Sequence, residues 1–343
     1  MSRGTVYNNI VTDENWALVN EKNKKLMEEF VDYLDSADRS DKTVSQYNSQ
    51  LRIFFVWNLE HNDNKFFIDL KKKDLIKYMG YLRNVLGSSP NRICSQKSVL
   101  CSLSNYIERF DDEEYPEFRN IAKVIESPVK TNIRKKTILE QDEIDECLKR
   151  LVEDKKYQLA CFFALSIACG ARKSELCRFK VSDFEQANVV YGCMYETTEE
   201  MKTKGRGKLG KPLKKYTFIT QFQPYFDLWM TEREEKGIDS EWLFVTYKDG
   251  KWNNATDVTA TSWAKTIERY LGTDFYCHAS RHAWTTQAKK QGLPDDVIME
   301  LQGWSSLEMV KLYSDLDVKD SFSKYFDENG IIEQEATKLT DIK

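Results

Sequence analysis

From residue 26 to residue 110, apolar side chains return every three or four positions with polar residues between them. Leu26, Phe30, Tyr33 and Leu34 predict one helical face, ended by the polar break at Asp38–Ser40. Val44, Tyr47, Leu51 and Phe54 predict a second, capped by Ser40 and Asp41. Leu75, Met79, Leu82 and Leu86 predict a third, closed by Gly87, and Ile93, Val99, Leu103, Tyr106 and Phe110 a fourth after the turn SSPN. Four amphipathic helices with short breaks predict a helical bundle.

The periodicity then stops. SPVKTNIRKKT carries Pro128, few apolar residues and many cations, which reads as an interdomain linker. Beyond it, ILEQDEIDECLKRLV and YQLACFFALSIACG predict two helices, the second apolar on every side and therefore buried, with Gly170 in the position of a C-terminal cap. Val189 to Thr197 and Tyr216 to Thr220 have strand character and flank a Gly-rich basic run, predicting a hairpin with a long charged turn. The remainder reads as helices broken at Gly272, Gly292–Pro294 and Gly303. The expected fold is mainly α in two domains. Residues 1–21 form an N-terminal extension, 22–127 the helical domain and 128–137 the linker. Residues 138–326 form an α+β domain with a small sheet, and 327–343 a tail.

Composition narrows the class. Of 343 residues, 41% are hydrophobic and 31% charged, enough for two packed cores and a polar surface. No apolar run approaches the roughly 20 residues that span a bilayer, and MSRGTVYNNIVTDENW lacks the apolar segment of a signal peptide, so a cytosolic protein is expected. The eight cysteines stand in apolar stretches without a C-x-x-C pair, as reduced, buried thiols would; with three histidines and no ligand cluster, no metal site is expected.

The net charge of −4 argues at first against a polyanion partner, but the charges are segregated. MKTKGRGKLGKPLKKY, residues 201–216, holds Lys202, Lys204, Arg206, Lys208, Lys211, Lys214 and Lys215 with no acid, and KTNIRKK holds Arg134, Lys135 and Lys136. Screening over about 8–10 Å makes such patches, rather than the net charge, what a nucleic acid meets. A single run of this kind is most often a solvated loop.

The candidate chemistry lies in four short stretches. ACGARKSEL sets Arg172 just past the buried helix with Glu175 three residues on; HASRH sets His278 and Arg281 on one helical face; LQGW brings Trp304; and SSLEMVKLYSDL brings Tyr313 behind a Ser305/Glu308 capping box. Taken singly, Tyr313 is a core aromatic, Arg172 a salt-bridge partner of Glu175, and His278 with Arg281 a polar face. His61 and His282 fall outside the pattern and read as structural or surface residues. In this order and spacing, from about Ile138 to Tyr325, the stretches resemble the tyrosine recombinase (phage integrase) family. The helical first part resembles its SAM-like core-binding domain.

The resemblance implies a DNA strand transferase. Two guanidiniums, Arg172 and Arg281, would grip a phosphodiester bidentately and stabilise its transition state, with Glu175 orienting Arg172. Tyr313 would attack to form a 3′-phosphotyrosyl link, aided by both arginines, which favour phenolate. His278 would serve as base or donor, and Trp304, where many members have histidine, would donate its indole N–H. A hairpin lysine would protonate the leaving 5′-oxygen: KGRGKLGKPL resembles the family's pattern and selects Lys204, while KTKG read differently selects Lys202. Lys202, Arg206, Lys208, Lys211, Arg134, Lys135 and Lys136 would contact the DNA backbone. The family further implies a homotetramer on two duplex sites, no cofactor, room for an accessory directionality factor, a prokaryotic nucleoid-associated setting, and integration or excision of a mobile element. The segment after Tyr313 would dock on a neighbouring protomer. A type IB topoisomerase and a catalytically silent DNA-binding protein of the same fold are the alternatives.

Overall fold

The computed structural model describes residues 6–129, 139–203, 205, 207–208, 210–313, 326–327 and 330–331. The elements fall into two compact units, one built before residue 130 and the other after residue 138. The linker cations Arg134, Lys135 and Lys136, and most of the chain after Tyr313, lie outside the described residues.

The first unit is helical. Its elements are α1 (Val6–Ile10), α2 (Asp13–Leu18), α3 (Glu21–Ser36), α4 (Asp41–His61), α5 (Lys72–Asn84) and α6 (Pro90–Phe110). The starts follow the expected capping chemistry. The Ser40 side chain accepts from Thr43 N–H at α4, and that of Ser89 from Arg92 N–H at α6, where Pro90 occupies a first-turn position needing no N–H. Phe30, Phe54, Phe67, Tyr78 and Leu103 meet in the core. Buried Asn23 donates to Lys65 O at 2.9 Å and accepts from Phe67 N–H at 2.9 Å, so this polar group is paired. The segment before residue 22, expected as an extension, carries α1 and α2, and its Ile10, Val11 and Trp16 pack on the bundle core.

The second unit is centred on a buried helix. Helices α7 (Gln141–Glu153) and α8 (Tyr157–Cys169) are followed by the short α9 (Lys173–Leu176). Every residue of α8 from Leu159 to Cys169 is buried, as its apolar circumference requires. Strands β1 (Val189–Val190), β2 (Met194–Glu196), β3 (Met201–Thr203), β4 (Lys211–Leu213) and β5 (Tyr216–Phe218) come next. β2 pairs antiparallel with β1 and with β5, placing Tyr195 opposite Thr217, which is the expected hairpin. Inside its long turn a second ribbon forms from β3 and β4, with Lys202 opposite Pro212.

Helix α10 (Ile219–Glu235) leads to β6 (Val245–Lys248) and β7 (Lys251–Asn254), then to α11 (Asp257–Leu271), α12 (Cys277–Lys290), α13 (Asp295–Gln302) and α14 (Leu307–Tyr313). Short strands β8 (Phe326–Asp327) and β9 (Gly330–Ile331) close the described chain. The β6–β7 hairpin corrects the all-helical reading of this stretch. Asp249 (φ 53°) and Gly250 (φ 76°) form its two-residue turn, the left-handed pair that a tight hairpin demands. All eight cysteines are free thiols, and six are buried; Cys101 is partly buried and Cys193 exposed. Among the described residues no helix is long and apolar enough to cross a membrane.

Candidate active site

Three helix ends and one helix face build the site. Helix α8 stops at Gly170, whose φ of 59° suits glycine and whose Cβ, if present, would lie 2.9 Å from Trp284 Cγ. The chain then turns so that Arg172 stands at the N-terminal boundary of α9. α12 carries His278, Arg281 and His282, three and four positions apart and so on one face. α13 ends at Gln302, Gly303 turns with φ 65°, and buried Trp304 follows. α14 delivers Tyr313, also buried.

The Tyr313 hydroxyl lies 2.5 Å from His278 Nε2. Its ring stacks on Trp304, with centroids 4.8 Å apart and planes 24° apart, and lies 4.6 Å from the His282 ring. The Arg281 guanidinium carbon sits 4.8 Å from the Trp304 ring centre and 5.7 Å from that of Tyr313. Arg281 is fully buried; Nη1 donates to Gly170 O at 2.9 Å and Nη2 to Gln302 O at 2.7 Å. These bonds tie the ends of α8 and α13 to α12. They also revise the expected free bidentate grip, because two of the guanidinium's donors are already engaged with backbone. Its Nε, like Trp304 Nε1, is buried without an acceptor among the described residues. Unpaired buried donors of this kind suit an anion, since leaving them unmet is costly.

Arg172 and Glu175 meet as expected, and a third partner joins them. The carboxylate accepts from Arg172 Nη1 at 2.7 Å and Arg172 N–H at 2.9 Å, and pairs with Lys215 Nζ at 3.1 Å. Glu175 is 1% exposed. Burial alone would raise its pKa, but Lys215 and Arg172 outweigh that and bring it from an ordinary value near 4.5 down to about 2. A carboxyl depressed in the folded state stabilises the fold above its unfolded pKa, and that contribution fades as pH falls through the folded one. Glu175→Gln would strand two cations, and breaking a buried pair costs roughly 3–5 kcal/mol, so at pH 7 the unfolding midpoint should drop by roughly 10 °C. In a calorimetric pH series the gap between wild type and variant should close as pH falls from about 4.5 towards 2.

Electrostatics at Tyr313 differ from expectation. Burial pushes its pKa up, and this outweighs the downward pull of Arg281 and Arg172. The phenol therefore stays protonated at neutral pH and needs a base to attack. The Arg281 cation is itself destabilised, first by burial and then by Arg172, and its pKa falls to about 10, still charged at neutral pH.

Other expectations fare unevenly. Lys204 and Arg206 lie outside the described residues, so the favoured hairpin lysine is not among them. Lys202 is exposed on β3 between buried Met201 and Thr203, Lys211 is exposed on β4, and Lys208 is partly buried in the connecting turn. Lys214 and Lys215 do not belong to an open basic surface. Lys214 Nζ donates to Thr197 O at 2.6 Å and Thr198 O at 2.7 Å, and Lys215 is buried. The tyrosine helix starts at Leu307, so Ser306 rather than Ser305 stands at its boundary; Glu308 is then the second helical residue and Met309 the third, and the expected Ser305/Glu308 box does not form.

His282, read as structural or surface, touches the tyrosine. Besides its ring contact, its Nδ1 lies 3.1 Å from Tyr313 O. Its position four residues after His278 was the available signal. Gln302 was also missed; its side chain donates to Cys169 O at 3.2 Å, and no sequence pattern announced it.

With this geometry in hand, comparison with known proteins is specific. Residues 137–320 match the model of the phage integrase family. The chain is 32% identical over 270 residues to the SPbeta prophage-derived recombinase-like protein YomM of Bacillus subtilis, covering 78% of this chain and 74% of that protein. It is 24% identical to the tyrosine recombinase XerA of Pyrococcus horikoshii, covering 87% of this chain and 91% of that one. Among solved structures, the Tn1549 transposon integrase in complex with circular intermediate DNA superposes with a TM-score of 0.64 at 16% identity, covering 87% of this chain and 98% of that one. The XerH site-specific recombinase bound to its palindromic difH substrate superposes with a TM-score of 0.60 at 17% identity, over 82% and 78% of the two chains.

Proposed function

The chain belongs to the phage integrase family and is a tyrosine-type site-specific DNA recombinase, and from that premise we propose that Tyr313 cleaves double-stranded DNA and holds the broken strand as a 3′-phosphotyrosyl ester. The observation that carries this reading is the Tyr313 hydroxyl at 2.5 Å from His278 Nε2, beside the buried Arg281 cation. With Nε2 as acceptor, His278 takes the phenol proton as Oη attacks phosphorus. The P–O5′ bond breaks, and the 5′-oxygen leaves as a hydroxyl after receiving a proton from the hairpin lysine, Lys204 or Lys202. Arg172, Arg281 and Trp304 donate to the non-bridging oxygens as charge builds there. Because the ester conserves the bond energy, a 5′-hydroxyl from a partner strand reverses the step without hydrolysis.

Four protomers on two sites would complete an exchange, and a mobile element integrating or excising is the role that the likeness to a prophage-derived relative supports. The test is a nicked suicide duplex built from the DNA adjoining the gene, incubated with the full chain in EDTA. A covalent protein–DNA adduct that re-ligates to an added 5′-hydroxyl strand is the expected result, and absence of any adduct would overturn the reading.

Lys202, Arg206, Lys208, Lys211, Arg134, Lys135 and Lys136 supply the backbone contacts in this reading. Each neutralised phosphate contributes about −0.9 to the slope of log K against log salt, so replacing Arg134, Lys135 and Lys136 together by alanine should flatten the slope by about 2.7. Titrations at several salt concentrations measure it. An unchanged slope would remove the linker from the interface.

A further inference from the structure

Lys215 is 1% exposed, a rare place for a lysine, and nothing in the cleavage chemistry above uses it. Its backbone is fixed at the mouth of β5: its N–H donates to Thr197 Oγ1 at 3.1 Å, and its carbonyl accepts Thr197 N–H at 3.0 Å. From that anchor the side chain runs inward to Glu175 Oε2 at 3.1 Å. The same oxygen takes the Arg172 backbone N–H, while Oε1 takes Arg172 Nη1. One carboxylate is thus shared by a lysine on the sheet and an arginine at the head of α9.

We infer that Lys215 is a positioning residue for DNA cleavage, holding Glu175 so that Glu175 in turn aims the Arg172 guanidinium at the scissile phosphate. Without Lys215, Oε2 would lose its ion-pair partner and keep only the Arg172 N–H, and the carboxylate could rotate about its last bond. Arg172 is anchored through that carboxylate at both its backbone and its guanidinium, so its aim would loosen with it. A misplacement of about 1 Å in a phosphate-holding group is enough to cost about 100-fold in rate. The lysine also sets the local charge. Arg172, Arg281 and Lys215 face a single carboxylate, leaving an excess of positive charge for the phosphodiester and its transition state. Burial lowers the Lys215 pKa, and the Arg281 charge lowers it further, while Glu175 works in the opposite direction and keeps the ammonium paired. Enclosed against Glu175, its Nζ is not the proton donor to the leaving oxygen; that task stays with the hairpin lysine.

The inference rests on cleavage by Tyr313, and the experiment separates the two. Nicked suicide duplexes from the DNA adjoining the gene are supplied at saturation, and adduct formation is followed in a single turnover for wild type, Lys215→Met, Glu175→Gln and the double variant. Lys215→Met should cleave about 100-fold more slowly while its DNA affinity stays within about twofold of wild type. The double variant should be no slower than Glu175→Gln alone, because both changes act through one carboxylate. A duplex with a 5′-bridging sulfur, whose thiolate leaves without needing a proton, should not restore the rate. Should Lys215→Met fail to fold, Lys215→Gln, which keeps a donor to Glu175 without the charge, is measured in its place and should show a smaller loss. Cleavage by the variant at the wild-type rate, losses that multiply in the double variant, or rescue by the bridging sulfur would each overturn the inference. No adduct from the wild-type chain would overturn the cleavage assignment along with it.

Discussion

Tyr313→Phe should abolish covalent adduct formation while leaving DNA affinity within about twofold of wild type. The change deletes one oxygen from a ring whose packing on Trp304 and His282 stays in place, so the fold has little reason to respond. The lost oxygen is the one held 2.5 Å from His278 Nε2, and it is the only atom of the side chain able to attack phosphorus. Removing a nucleophile outright costs about 10⁴-fold or more in comparable hydrolytic sites. A suicide-duplex assay with a detection range of about 10⁴ should therefore show no adduct. Because burial holds the phenol's pKa above its ordinary value, His278→Ala should also slow cleavage by about 100-fold or more, within the usual range for a lost general base.

Arg281→Lys should be the second severe lesion, and it should damage both chemistry and stability. The side chain is completely buried, bridges Gly170 O and Gln302 O, and lies over Trp304. A lysine ammonium keeps the charge but offers its donors from a single point, so it cannot span the two carbonyls and still face a phosphate. At least one buried carbonyl or the ammonium itself is left poorly met, at a cost of about 1–3 kcal/mol. The unfolding midpoint should fall by several degrees, and cleavage by about 10³-fold, the scale for losing a donor to developing negative charge. Calorimetry and single-turnover cleavage on the same preparation measure both. A variant that cleaves like wild type would show that Arg281 is a strut and nothing more.

Much of this was legible in the sequence because periodicity and local chemistry carried it. The bundle helices announced themselves through their apolar spacing and the cap at Ser40, and Gly170 marked the end of α8 through the left-handed turn it makes. His278 and Arg281 could be placed on one face because a helix repeats at that interval. Depth was harder to read. Lys215 lay within a run of cations that looked like open surface, and a one-dimensional charge pattern says nothing about which side chain turns inward to a carboxylate 40 residues earlier (215 − 175). The engagement of Arg281 with two carbonyls was invisible for the same reason, since backbone acceptors carry no sequence signature. The β6–β7 hairpin was missed despite its Asp249–Gly250 turn because the flanking strands are short and largely polar, with little alternation to distinguish them. His282 lies outside the motif's spacing, and only its helical interval of four from His278 points to the same face. The acidity of Tyr313 went the other way from expectation because burial, which depends on the packing of three helix ends, exceeds the pull of the arginines.

The most direct measurement is the identity of the linked residue in a trapped adduct. The chain has 17 tyrosines, so an adduct on a gel does not by itself name the nucleophile. Protease digestion followed by mass spectrometry should find the DNA 3′-phosphate esterified to the peptide containing Tyr313, with a free hydroxyl on the released 5′ end. A link to any other tyrosine, or a 5′-phosphate on the protein, would contradict the account.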